Sequence, residues 1–151
     1  MKSLIENSDL VKARNYFRKI LNPLGLNEWR DAFAINNIPS NIYDKAFHLE
    51  NGINSGGPSN QCDQETFTNI TLRVFLKGFR DTTEGLEYSV AIGEKIIKKA
   101  INVGTRTDSH PVKNVIYNQM QSLPLDAVEN DNAVILEMDF TVLVILNPQD
   151  D

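Results

Sequence analysis

The last apolar stretch of the chain, residues 133–148, constrains the possible folds more than any other. Its even positions are all apolar up to residue 146, whereas Glu137, Asp139 and Thr141 occupy odd positions. Successive strand residues point to opposite faces, so this period of two predicts a β-strand with one apolar face and one face that is polar in its middle. β-Branched residues are dense here, which argues against a helix. The two carboxylates and the short length argue against a membrane span.

A second segment with the same period, residues 67–79, has a basic polar face. One of its faces is apolar, and the other carries Arg73 and Lys77. If the two strands are neighbours, we expect these cations to pair with Glu137 and Asp139, each pair contributing about a few tenths of a kcal/mol. The two segments together predict one sheet with a charged open face.

Phe75 and Phe79 stand out because strict alternation places both aromatic rings on this otherwise charged face. Exposed aromatic residues are enriched at the centres of protein interfaces. The two phenylalanines are therefore the candidate subunit-contact residues, unless the long loop described next covers them.

Residues 51–66 read as a long loop, because they are rich in Gly, Ser and Asn and nearly free of apolar side chains. Such a loop is either a mobile surface segment or an arm that becomes ordered against a neighbouring molecule.

Amphipathic helices are predicted at residues 4–21 and 86–100, and further strands at 42–50 and 112–125. Residues 26–34 fit a short helical turn or a strand. The predicted order is helix, strand, loop, strand, helix, strand, strand.

The length and the charge distribution limit the classes of protein to which this chain can belong. A chain of 151 residues that is 41% hydrophobic predicts a single domain, residues 1–151. Residues 1–22 carry a net charge of +3 and residues 105–151 carry −6, which suits head-to-tail contacts between copies. No basic stripe with interleaved aromatics is present, so tight nucleic-acid binding is disfavoured.

The start of the chain lacks the apolar core of a signal peptide, and the single Cys62 fits a reducing cytoplasm.

No pattern in the sequence predicts a catalytic, cofactor or metal site. Gly56 and Gly57 lack the residues of a phosphate-binding loop, and His48 and His110 have no zinc-ligand spacing. A Cys62 nucleophile with His48 or His110 as its base would need a formed pocket, whereas Cys62 falls in the predicted loop, so we expect a solvent-facing thiol. Glu137 and Asp139 share a strand face, so they could act as general acid and base, although pairing with cations across the sheet is the favoured role.

The order of elements resembles the tail terminator (tail completion) proteins of long-tailed bacteriophages. The likeness covers most of the chain as an order of elements, without an invariant motif. It is carried by the amino-terminal helix and by four segments that follow it: NIPS leading into YDKAFHLE, ITLRVFLKGFRD, LEYSVAIGEKIIKKA and the closing VILEMDFTVLVILNP.

This resemblance implies an α/β (α+β) fold: a mixed, mostly antiparallel sheet of about four strands with helices packed on one face. It also implies a hexameric ring in the virion, at the neck between head and tail, assembled in the host cytoplasm and away from any membrane. Such a ring stops polymerisation of the tail tube protein, caps the tube and meets the neck or head connector protein. DNA crosses its channel without being read.

Glu137 and Asp139 are the candidate channel-lining residues under this interpretation, because an acidic lining repels phosphates and lets DNA slide. Neutralisation by Arg73 and Lys77 would weaken that role. One alternative is another ring protein of the phage neck or head-completion region. A second, from a different class, is a small cytosolic α+β enzyme or ligand-binding domain with its pocket between sheet and helices.

Overall fold

The computed structural model describes residues 4–5, 8–30, 45–57, 64–102, 112–128 and 131–146. Five strands in these ranges form one sheet in the order β1-β2-β3-β5-β4. The strands are β1 (Asn27–Glu28), β2 (Lys45–Gly57), β3 (Gln64–Phe79), β4 (Val112–Val128) and β5 (Asp131–Leu146). Only β1 and β2 are parallel. The predicted mixed, mostly antiparallel sheet is confirmed, with one more strand than the four expected because the two-residue β1 joins its edge.

Strand β5 is the centre of the core, as its period-two pattern predicts. It lies between β3 and β4 and pairs with both in antiparallel fashion. Its even positions from Val134 to Val144 are all buried. This apolar face forms the base on which both helices pack.

The first helix, α1, spans Asp9–Leu21, and its ends follow from local chemistry. The Ser8 side chain accepts a hydrogen bond from the backbone N–H of Val11, which satisfies one free donor of the first turn. A 3-10 turn follows at Asn22–Leu24. Gly25 then adopts a φ of +79°, a left-handed conformation that glycine tolerates and that ends the helical path.

The second helix, α2, spans Thr82–Ile101 and begins where Asp81 accepts a 2.8 Å hydrogen bond from the Glu84 backbone N–H. Its buried face comprises Gly85, Ser89, Ile92, Gly93, Ile96 and Ala100. Val90, an apolar residue within the predicted amphipathic helix, is 38% exposed and lies outside this face. The side of α2 that faces the sheet contains the small residues Gly85, Ser89 and Gly93, which allow close packing.

Both helices pack on the same face of the sheet, the one formed by the even positions of β5. The ring of Phe17 on α1 lies 5.1 Å from that of Phe140. A Cβ at Gly93 on α2 would overlap the sulfur of Met120 and lie 3.3 Å from Leu136. The fold therefore has two layers, with the opposite sheet face left free of these helices.

The predicted loop at residues 51–66 is wrong over most of its length. Residues 51–57 continue β2, and residues 64–66 begin β3. The two strands pair in antiparallel fashion as far as Gly57 and Glu65, with a register shift between Asn51 and Asn54. Backbone pairing in a hairpin does not need apolar side chains, so composition alone misassigned this segment. Residues 58–63, including Cys62, lie outside the described residues.

Candidate functional site

The sheet face opposite the helices carries a central band of polar side chains arranged in three rows across the strands. In the first row, the amide nitrogen of Asn118 on β4 donates to Thr141 Oγ1 at 2.8 Å. Thr141 in turn donates to Asn69 Oδ1 on β3 at 2.9 Å. This row therefore links β4, β5 and β3 through side chains as well as through backbone hydrogen bonds.

The second row is centred on Asp139 of β5, whose two carboxylate oxygens are held from both sides. Thr71 on β3 donates its hydroxyl to Oδ1 at 2.8 Å. Gln119 on β4 donates its amide to Oδ2 at 2.5 Å. Both partners are neutral, so no cation in this row balances the Asp139 carboxylate. The expected pairing of Asp139 with a cation is not what the structure shows for this row.

The third row is an ionic one centred on Arg73 of β3. Arg73 lies directly opposite Glu137 in the register of β3 and β5, and its Nε is 3.8 Å from Glu137 Oε2. A second ion pair joins Arg73 Nη1 to Glu50 Oε2 on β2. The Arg73 and Glu137 side chains are 28% and 29% exposed, so water screens this contact only in part. The structure thus brings together Arg73 and Glu137, as the two sequence patterns predicted.

The central band has a small negative charge. Three carboxylates, those of Glu50, Glu137 and Asp139, face one guanidinium, that of Arg73. Lys77, where the register of β3 becomes irregular, adds one positive charge to this part of the sheet. Three negative and two positive charges leave −1 among these described groups. Arg73 therefore neutralises part of the acidic surface but not all of it.

Phe75 does not provide the exposed aromatic contact that the sequence predicted. It lies opposite Ile135 of β5 and Ala46 of β2, on the face away from the helices. Its side chain is nevertheless fully buried within one copy of the chain. A residue with no exposed surface cannot form the first contact with a second copy. The prediction that Phe75 is exposed is therefore wrong.

Phe79 is on the opposite face from the one predicted, because a β-bulge interrupts strict alternation. The register of β3 and β5 shifts between Leu76 and Phe79, and Gly78 within this bulge has a φ of +87°. An extra residue in one strand turns the following side chain to the other face. Phe79 therefore packs with α2, its ring 5.5 Å from that of Tyr88.

The two carboxylates of the polar band are each held by a neighbour on the sheet. Asp139 accepts hydrogen bonds from Thr71 and Gln119, and Glu137 lies beside Arg73. Among the described residues, no group of three His, Cys, Asp or Glu side chains could hold a metal ion. His48 uses its Nδ1 in a 2.7 Å hydrogen bond with the Trp29 carbonyl. His110 and Cys62 lie outside the described ranges.

The sequence pattern of β5 placed Thr141 on the same face as Glu137 and Asp139, but it did not predict Glu50 or the neutral residues of β3 and β4 as members of the band. Asn69 and Thr71 occupy the same alternating positions as Arg73, so period two on β3 could have included them. Gln119 and Asn118 could not be found this way, because register shifts in β4 fix which face they occupy.

Within the described helices, none is long and apolar enough to cross a membrane.

Comparison with solved structures found a protein with a similar fold. The chain resembles a protein in the solved structure of the virion of a native gene transfer agent particle, with a TM-score of 0.53 and 11% sequence identity. The alignment covers 89% of this chain and 92% of that chain. At this identity the two share an architecture over nearly their full lengths. No protein-family model and no curated protein matches the sequence.

Proposed function

We propose that this protein is a structural component of a phage-like particle, in which it forms a ring that terminates the tail tube. The observation that carries the proposal is the common fold with a virion protein over 89% of the chain. The sequence resemblance to tail terminator proteins supports the same role independently. In this role the ring, a hexamer, caps the tube and joins it to the neck or head connector.

The open sheet face suits a surface that either lines the channel or meets a neighbouring ring. Its side chains are held across strands by the three rows of hydrogen bonds and ion pairs, which fixes them before any contact forms. The small net negative charge would repel DNA phosphates rather than bind them. Glu137 and Asp139 are the proposed lining residues in this arrangement.

Another ring protein of the neck or head-completion region would use the same fold and face. The tail tube protein discriminates between these two roles, because only a terminator acts on tube polymerisation. A small enzyme is the less supported alternative. Its pocket was expected between sheet and helices, where buried apolar side chains such as Phe17, Ile96 and Phe140 fill the space.

The proposal is tested by polymerising the particle's tail tube protein with and without this protein and measuring tube length and tube ends by electron microscopy. We expect shorter tubes with a ring at one end. The heat-unfolded protein serves as a control and should leave tube length unchanged. Tubes of unchanged length without end density would contradict the terminator role.

A further inference from the structure

The two ends of the sheet carry complementary surfaces. Strand β1 forms one edge of the sheet and β4 forms the other. Helix α1 lies near the β1–β2 end, since Arg14 donates to the Leu49 carbonyl and Arg18 pairs with Glu28. Helix α2 lies over the β4 end, where Ser89 contacts Ser122 at 2.7 Å. Helix α1 therefore lies toward one edge of the sheet and α2 toward the other, and the two helices meet where the Tyr16 hydroxyl donates to the Ala100 carbonyl.

We define the basic edge as Arg14, Arg18 and Arg30, which surround Glu28. Its described residues carry more positive than negative charge. Arg18 donates from Nε to both Glu28 oxygens at 3.0 Å, and Arg30 Nε lies 3.4 Å from the same carboxylate. Arg14 pairs with no carboxylate among the described residues. Among the described residues of this edge, three guanidinium groups face one carboxylate, which leaves a surplus of two positive charges.

Polar groups at this edge are incompletely satisfied within one copy. The Arg14 Nε and the Trp29 Nε1 are buried without a hydrogen-bond partner in the described structure. Burial lowers the pKa of Arg14 and the nearby charge of Arg18 lowers it further, whereas the charge of Glu28 opposes both. Glu28 is already shared with Arg18 and Arg30, so an acidic group from outside would improve the charge balance of this edge. Arg and Trp are also the residues most enriched at the energetic centres of interfaces.

The acidic stripe, defined as Leu86, Glu87, Val90, Ala91 and Glu94, lines a shallow groove on the solvent side of α2. Its members recur at helical spacing on one side of the helix. Val90 is 38% exposed and sits between the two glutamates. Neither Glu87 nor Glu94 forms an ion pair with a described residue. The stripe therefore combines an exposed apolar centre with two unpaired negative charges, which match the surplus of the basic edge.

We propose that the acidic stripe of one copy docks on the basic edge of the next copy, and that this contact repeats around the ring. The inference rests on the proposed ring function and names its subunit interface. Because the two surfaces lie at opposite ends of the sheet, the contact is head-to-tail, and head-to-tail contacts generate closed rings when the rotation closes. Charge complementarity selects a second copy as the occupant of the groove, and it fixes the orientation of that copy.

Disulfide trapping tests this contact. In a Cys62→Ser background, which removes the sole natural thiol, Glu87→Cys and Arg30→Cys are combined in one chain. The edge strands β1 and β4 are separated by four inter-strand spacings, about 19 Å, and Glu87 lies on α2 over the β4 end, so we expect no bond to residue 30 within one copy. Mild oxidation should convert the protein into a covalent ladder that ends at the size of the ring. Each single-cysteine variant should give no species beyond a dimer.

The matched control moves one cysteine to another side of the same helix. Lys95→Cys with Arg30→Cys places an exposed thiol on α2 outside the acidic stripe and should remain mostly monomeric on a denaturing gel. Native mass spectrometry before oxidation separates the two proposals. A ring that forms but gives no Glu87–Arg30 ladder overturns this interface and leaves the ring function standing. Absence of any ring, with or without tube protein, overturns both.

Discussion

Arg73 on β3 and Glu137 on β5 face each other across the sheet, with Arg73 Nε 3.8 Å from Glu137 Oε2, and Arg73 also contacts Glu50 on β2. One guanidinium thus connects three strands on the open face. We expect a double-mutant cycle of Arg73→Ala and Glu137→Gln to give a coupling free energy of about 0.5 kcal/mol, because both groups are partly exposed. Urea unfolding at low salt measures it.

The control for this cycle is the ion pair of Arg80 and Glu84, whose atoms are 3.7 Å apart and whose Arg80 side chain is 83% exposed. Full solvation should reduce its coupling below that of Arg73 and Glu137. Equal coupling in the two cycles would show that the position of Arg73 between two carboxylates has no energetic effect.

Glu137 and Asp139 provide the test of the channel face. Replacing both with lysine reverses the charge of the central band, so the assembled protein should retain double-stranded DNA. The logarithm of the binding constant should then fall with the logarithm of salt concentration, with a slope steeper by about 0.9 for each new phosphate contact. Filter binding across a salt series measures this slope.

The matched control places the same change in charge elsewhere in the sequence, with lysine at Asp150 and Asp151. If the open face lines the channel, this control should bind DNA more weakly than the Glu137 and Asp139 variant. Equal binding by the two variants would indicate a general effect of net charge and would argue against a lining role.

Gly78 sets the side of the sheet on which Phe79 lies. Its φ of +87° is in the region that side chains with a Cβ disfavour, and a Cβ there would meet no atom within 4 Å. Gly78→Ala should therefore cost about 1–2 kcal/mol of folding free energy from backbone strain alone. Gly78→Asn should cost less, because asparagine tolerates this conformation better. Equal costs for the two variants would contradict this explanation.

Phe140 connects β5 to α1 through its contact with Phe17. Both side chains are fully buried, so Phe140→Ala should lower the free energy of unfolding by about 3–5 kcal/mol through lost burial and a new cavity. Phe140→Leu keeps most of the volume and should cost much less. Chemical unfolding followed by circular dichroism compares the two. A loss of less than about 1 kcal/mol for the alanine variant would contradict the central place of β5 in the core.

The sequence predicted those elements whose pattern is local. The alternation in β5 is a property of consecutive residues, so its buried face from Val134 to Val144 could be read directly. The facing charges of Arg73 and Glu137 followed from two such patterns. The α+β architecture needed the family resemblance in addition, because periodicity does not specify which strands are neighbours.

Features that depend on pairing between distant segments could not be predicted. The polar residues of β2 after Glu50 form a strand only because β3 pairs with them. Phe79 changes face because of one inserted residue at the Gly78 bulge. The acidic stripe was hidden because Leu86 and Val90 have the composition of a core stripe, whereas the helix turns its small residues toward the sheet.

The mass of the native protein in solution tests the central claim most directly. Light scattering or native mass spectrometry, over a range of protein and salt concentrations, measures it with and without tail tube protein. We predict a species of six times the 17.0 kDa chain, formed alone or on addition of tube protein. A monomer that persists at every concentration and does not respond to tube protein would contradict the assignment of this fold to a tail-terminating ring.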